Sequence, residues 1–258
     1  MLALDLDGRI AIVTGGSKGI GLASAQALAA AGASVALIGR DARALDAAVG
    51  EIGADKAQAL VHDLSLPGSE TAVVRETQAR FGRVDLLVNA AGGSGGGDFF
   101  TLPDAVWHQS FELKIMATIR MIRAVLPAML AQGWGRVVSI AGNSALHNNA
   151  AMLPGVMANT TLIALTKGLS DRHAGEGVLL NCVSPGPTLT QRLSDVIDGV
   201  AASEGISRAA AEARLLAQTP TRRFCTPQDV ARVVLFLCSP LTRNISGINL
   251  TVDGGATR

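Results

Sequence analysis

The sequence predicts an α/β fold, a Rossmann-type doubly wound parallel sheet of about seven strands with helices on both faces. Three observations predict it. Short apolar runs alternate with helical patterns along the whole chain. Most of those runs are apolar on both faces, as strands covered by helices on both sides should be. A glycine-rich turn sits between the first run and the first helical pattern, where such a sheet binds its ligand.

Taken in order, the strand-like runs are RIAIVTGG, SVALIGR, QALVHDL, VDLLVNAAG, GRVVSIAG, VLLNCVSPG and INLTVDGG. The helical patterns between them include GIGLASAQALAAAG, DARALDAAV, GSETAVVRETQARFG, DAVWHQSFELKIMATIRMIRAVLPAMLAQG, NTTLIALTKGLSDRHAG and TPQDVARVVLFLCSP. Several begin near Asp, Ser or Thr, whose side chains cap helix starts. Several end in Gly, which accepts the left-handed turn at a helix end. No composition shift or Pro/Ser-rich linker divides the 258 residues, so a single domain spanning 1–258 is expected.

Charge and composition exclude some partners. With 22 basic and 21 acidic side chains and no block of like charge, neither nucleic acid nor an anionic membrane is an expected partner. Val230 to Cys238, the most apolar C-terminal stretch, falls far short of the roughly 20 residues of a membrane helix. The opening MLALDLDGR lacks a basic region followed by an apolar run, so no secretory leader is expected. Cys182, Cys225 and Cys238 are widely spaced and follow no metal-ligand pattern; each reads as a small buried hydrophobe, no metal is expected, and a reducing cytoplasm fits.

The first run leads into Thr14-Gly-Gly-Ser-Lys-Gly-Ile-Gly21. Gly15, Gly19 and Gly21 allow the tight turn and the close approach of backbone to a pyrophosphate, with the helix start supplying N–H groups; Ser17 and Ile20 complete the turn. After the second run, a site for NAD would place an acid on the ribose 2′-hydroxyl. Here Gly39-Arg40 leaves room for a 2′-phosphate, and Arg40 can pair with it through parallel bonds, with Lys18 adding a second charge. Asp41, the competing acid, reads as the N-cap of DARALDAAV. NADP(H) is therefore the expected cofactor.

These motifs resemble those of the short-chain dehydrogenase/reductase family along nearly the whole chain. TGGSKGIG resembles its glycine motif, and His62-Asp63-Leu64 its adenine-contacting step. Asn89-Ala90-Ala91-Gly92 resembles the motif that supports the sheet and lines the cofactor. NCVSPGPTLT resembles the turn beside the nicotinamide, with Pro185, Gly186, Thr188 and Thr190, and ISGINLTVDGG resembles the last strand.

The resemblance implies a tyrosine as proton donor, a lysine that lowers its pKa, a serine on the substrate oxygen and an asparagine completing a relay. At family spacing this chain has Gly155, Asn159, Gly142 and Lys114 in those positions, and it contains no tyrosine. A loop shift could bring Ser144 into the serine's place. Hydride transfer at a carbonyl needs a matched proton transfer. The candidates that remain are Lys114, a charge able to stabilise or donate, and His147, whose unperturbed pKa suits proton transfer near neutrality. Asn159 can still hydrogen-bond a ribose hydroxyl. Asp98, His62, His108 and His173 read as structural or solvated.

The expected function is an NADP(H)-binding oxidoreductase of this family with a non-standard proton relay, acting on a carbonyl or conjugated small-molecule substrate. A non-redox dehydratase, isomerase or cyclase with a structural nucleotide, and a catalytically silent NADP(H)-binding subunit, stay open beside it. The resemblance also implies a homodimer or homotetramer, with the helices at 104–132 and 159–173 pairing across an interface.

Overall fold

The structure is a computed structural model that describes residues 4–93, 95–146 and 150–257. The strands are β1 (Ile10–Thr14), β2 (Ser34–Gly39), β3 (Ala57–Val61), β4 (Leu86–Asn89), β5 (Gly135–Ile140), β6 (Val178–Pro185) and β7 (Asn249–Val252). They form one sheet in the order β3-β2-β1-β4-β5-β6-β7, and every neighbouring pair is parallel. The helices are α1 (Gly19–Ala30), α2 (Ala42–Ile52), α3 (Ser69–Phe81), α4 (Asp104–Phe111), α5 (Ala117–Gln132), α6 (Leu153–His173), α7 (Gln191–Glu204), α8 (Arg208–Ala217) and α9 (Pro227–Cys238).

Alternation along the strands divides the core between the two faces. Ala11, Val13, Leu37 and Val88 pack with Leu28 of α1, Leu45 of α2 and Val230 and Val234 of α9. Ile12, Ala36, Ile38 and Leu87 pack with Val73 of α3 and Met121, Ile122 and Val125 of α5. Burial on both sides is why the inner strands show no regular polar alternation.

The strand order reverses between β1 and β4, which opens a crevice at their carboxyl ends. Thr14 ties its two walls together: its Oγ1 accepts from the backbone N–H groups of Ala90 and Ala91, each at 3.0 Å.

Three elements depart from expectation. The helix expected across 104–132 is interrupted by a π-helical turn, Glu112–Met116, which carries Lys114; such wide turns inside helices often mark functional positions. Helix α6 begins at Leu153 instead of Asn159, because Pro154 falls in the first turn, where the missing N–H costs nothing. Gly155 and Asn159 thus stand one turn apart on the same helix. Helices α7 and α8 were not anticipated, although Leu193 and Ile197 have helical spacing; they bury against Ala211 of α8.

Candidate active site

The turn between β1 and α1 is built for close approach. Gly15 and Gly19 have φ of +65° and +57°, and a Cβ on Gly21 would fall 2.2 Å from the Gly15 carbonyl oxygen. Only glycine closes this turn. A Cβ on Gly15 would stand 3.0 Å from the backbone of Ala90, so the turn rests directly on the segment after β4. Lys18, exposed and extended, precedes α1, and among the described residues no side chain caps the helix. Its first N–H groups are therefore available to an anion. Ile20 packs against the core beneath.

The end of β2 carries the expected selectivity residues. A Cβ on Gly39 would stand 3.4 Å from Ser17 Oγ, which places Ser17 over the Gly39-Arg40 step. The Arg40 side chain is 69% exposed, with Nη1 4.0 Å from Asp63 Oδ2. Asp41 caps α2 by accepting from Ala44 N at 3.2 Å, so its carboxylate serves the helix. The Asp63 carboxylate accepts from Ser65 Oγ at 2.7 Å and Ser65 N at 2.9 Å; these bonds, followed by the Arg40 charge, hold its pKa below the ordinary value against the effect of burial. Leu64 is buried beside it.

Asn89 is buried at the crevice floor, where its Nδ2 donates to Ser139 Oγ at 3.3 Å and its Oδ1 has no partner among the described residues. Pro185 ends β6, and Gly186 sits so close to β7 that a Cβ would meet Asp253 Cα at 2.9 Å. Thr188 Oγ1 donates to the Gly186 carbonyl at 2.9 Å. The methyl group of Thr190 would lie 3.3 Å from a Cβ on Gly19, so this segment reaches across to the glycine turn.

At the carboxyl ends of β4, β5 and β6 the structure brings Lys114, Gly142, Ser144, Asn159 and Cys182 together. The Lys114 stem lies 3.4 Å from where a Cβ on Gly92 would stand, and its Nζ donates to the Ala141 carbonyl at 2.9 Å. Burial pushes this ammonium down to about 8, with the Arg192 charge adding to the shift and Cys182 opposing it. Cys182 is buried, 3.1 Å from Thr166 Oγ1, and burial pushes its thiol up to about 11. It is a neutral group near neutral pH.

Asn159 is buried, donates from Nδ2 to Ser144 Oγ at 2.8 Å, and leaves Oδ1 without a partner among the described residues. Gly155 is buried on the preceding turn of α6. His147 lies outside the described residues.

Sequence reasoning missed Cys182 and Arg192 as neighbours of Lys114. It weighed Ser144 as a replacement for the serine, and the structure makes it the partner of Asn159. His62 pairs through Nε2 with Glu76 at 3.3 Å, and His173 through Nδ1 with Glu176 at 2.6 Å. Asp98 accepts from Phe100 N at 3.0 Å, and His108 is exposed. Among the described residues no three His, Cys, Asp or Glu side chains gather as a metal site would require, and no helix is long and apolar enough to cross a membrane.

Residues 15–257 match the family described as enoyl-(acyl carrier protein) reductase. An uncharacterized oxidoreductase, YvaG of Bacillus subtilis (strain 168), is 31% identical over 261 residues, covering 100% of this chain and 99% of the relative. The solved structure of a 7α-hydroxysteroid dehydrogenase complexed with NADH and 7-oxo glycochenodeoxycholic acid is 32% identical, with a TM-score of 0.90, over 98% of this chain and 96% of that one. A variant actinorhodin polyketide ketoreductase with NADPH is 30% identical, with a TM-score of 0.94, over 97% of each chain. The chain therefore belongs to the short-chain dehydrogenase/reductase family of oxidoreductases.

The residues present fit a nicotinamide dinucleotide. The glycine turn admits backbone-close phosphates, and among the described residues no side chain caps the α1 start and Asn89 Oδ1 and Asn159 Oδ1 are acceptors without a partner.

Proposed function

We propose that this chain is an NADP(H)-dependent oxidoreductase, acting on a carbonyl or conjugated small-molecule substrate through a non-standard proton relay. When bound, the cofactor supplies or accepts the hydride. Gly15, Gly19, Ile20 and Gly21 hold its pyrophosphate through backbone N–H groups, and Ser17, Lys18 and Arg40 take the 2′-phosphate. Asp63 and Leu64 flank the adenine. Asn89, Ala90 and Gly92 line the middle of the crevice, and Pro185, Gly186 and Thr188 bound the nicotinamide end. Asn159 accepts a ribose hydroxyl through its unpartnered Oδ1.

Lys114 provides the proton chemistry. The observation that carries this reading is its Nζ, fixed 2.9 Å from the Ala141 carbonyl oxygen with a pKa of about 8. A desolvated ammonium near neutrality donates more readily than a solvated one, and its remaining N–H groups can steady an oxygen that gains negative charge. The cation that the family supplies from α6 is here supplied by the π-helical turn. His147 is the second proton carrier in this reading, and the expected assembly is a homodimer or homotetramer.

The test is to incubate purified protein with NADPH, or with NADH, and a broad panel of ketones, aldehydes and enoyl compounds. Turnover with at least one substrate, with NADPH preferred, is expected. Substrate conversion without net nucleotide oxidation would select a dehydratase, isomerase or cyclase with a structural nucleotide. Tight NADPH binding with no chemistry would select a silent subunit.

A further inference from the structure

At the other end of the sheet, the amino ends of β1, β4 and β5 gather more positive charge than they neutralise. Arg9 and Arg83 share one carboxylate: Arg9 Nη1 lies 3.1 Å and Arg83 Nη2 2.6 Å from Asp85 Oδ1, while Asp85 Oδ2 accepts from Ile10 N at 3.0 Å. Arg136 of β5 has no such partner among the described residues. It is 4% exposed, its Nη1 donates to the carbonyls of Gly135 at 2.8 Å and Gly177 at 3.2 Å, and its Nε is buried without a partner among the described residues. Its guanidinium lies 4.6 Å from the centroid of the Trp134 ring, and that of Arg9 lies 3.8 Å from the same ring.

A cavity of about 240 Å³ opens beside this group, lined by Gly133, Trp134, Arg136, Gly177, Leu179 and Arg243 among others. Among the described residues no carboxylate pairs with Arg136 or with Arg243. A buried charge is costly unless it is paired, and carbonyl acceptors supply dipoles but no counter-charge. The planar guanidinium is shaped to take an oxyanion through parallel bonds.

We propose that this cavity binds a small oxyanion, the phosphate or carboxylate group of a small-molecule ligand, with Arg136 and Arg243 as its charged walls and Trp134 beneath the Arg136 guanidinium. The site lies at the opposite ends of the strands from the glycine turn, so it is separate from the nucleotide crevice and independent of the function proposed above. Its volume of about 240 Å³, roughly eight times the share of one water, holds the oxyanion together with part of the molecule that carries it.

The experiment is calorimetric titration of the intact protein with inorganic phosphate, and separately with acetate, each against sodium chloride at matched ionic strength. Wild type is compared with Arg243→Ala, an exposed position, with Arg136→Met, and with Arg40→Ala, which removes one proposed 2′-phosphate contact at the nucleotide end. Saturable binding of either anion is expected in wild type and in Arg40→Ala, weakened at least about tenfold in Arg243→Ala, in keeping with the loss of a charge-assisted bond. Phosphate and acetate compared side by side identify which oxyanion the cavity takes. Binding no stronger than chloride in wild type would overturn the proposal. So would binding that survives both Arg243→Ala and Arg136→Met, whatever its strength in Arg40→Ala, since the ion would then sit outside this cavity, at the glycine turn or at Arg40 of the nucleotide crevice.

Discussion

Gly142 and Asn159 fill a single space between them: a Cβ on Gly142, whose φ is +154°, would fall 2.7 Å from Asn159 Nδ2. The amide is held in that place by Ser144 Oγ at 2.8 Å. The glycine on the β5 loop and the asparagine on α6 are therefore coupled choices.

Gly142→Ser is expected to destabilise the chain by about 1–3 kcal/mol, through the unfavourable φ and the crowding of the amide. Asn159→Ala in the same chain should recover part of that loss by removing the crowded atoms. Denaturant unfolding of both single variants and the double variant measures the coupling. Simple additivity would show that the two positions do not share the space.

Arg40→Ala should weaken NADPH binding by roughly ten- to a hundredfold, the worth of a charge-assisted, bidentate phosphate contact, and leave NADH affinity nearly unchanged. Fluorescence titration with both nucleotides checks it. Equal losses for the two would place Arg40 away from the 2′-phosphate.

Lys114→Met should make the protein more stable near neutral pH while disabling it. The folded pKa of about 8 lies below the ordinary value of 10.5, because burial penalises the ammonium. Below pH 8 the folded state therefore carries the whole cost. Between about 8 and 10.5 the folded lysine has lost its proton while the unfolded one keeps it, so wild-type stability rises with pH. At about 1.4 kcal/mol per pKa unit the cost is on the order of 3 kcal/mol, and loss of the Ala141 bond offsets part of it. Unfolding at pH 7 and at pH 10 should show Lys114→Met ahead at the lower pH and the gap narrowing at the higher.

The sheet was legible because burial on both faces leaves an unmistakable mark: Ile12 and Val13 face opposite helical layers, and both had to be apolar. The glycine turn was legible because glycine at 15, 19 and 21 has few other uses in a strand-turn-helix step. The surroundings of Lys114 were less so. A π-helical turn at Glu112–Met116 has no sequence signature separate from an α-helix, so the sequence could suggest that Lys114 faces the site but not that it binds the Ala141 carbonyl. Cys182 read as one more apolar strand residue, and its place beside Thr166 depends on how α6 packs over β6. Arg192 lies on α7, a helix the sequence patterns did not reveal, and that helix fixes its position.

That Lys114 supplies the proton is tested most directly by the pH dependence of the reduction rate at saturating NADPH, for wild type and Lys114→Met. The wild-type rate should fall as pH rises through about 8, following loss of the acidic form. Lys114→Met should be slower by about 10²- to 10⁴-fold, the usual contribution of a positioned general acid, and flat across that range. A Lys114→Met enzyme with a near-normal rate and the same fall through pH 8 would contradict the account.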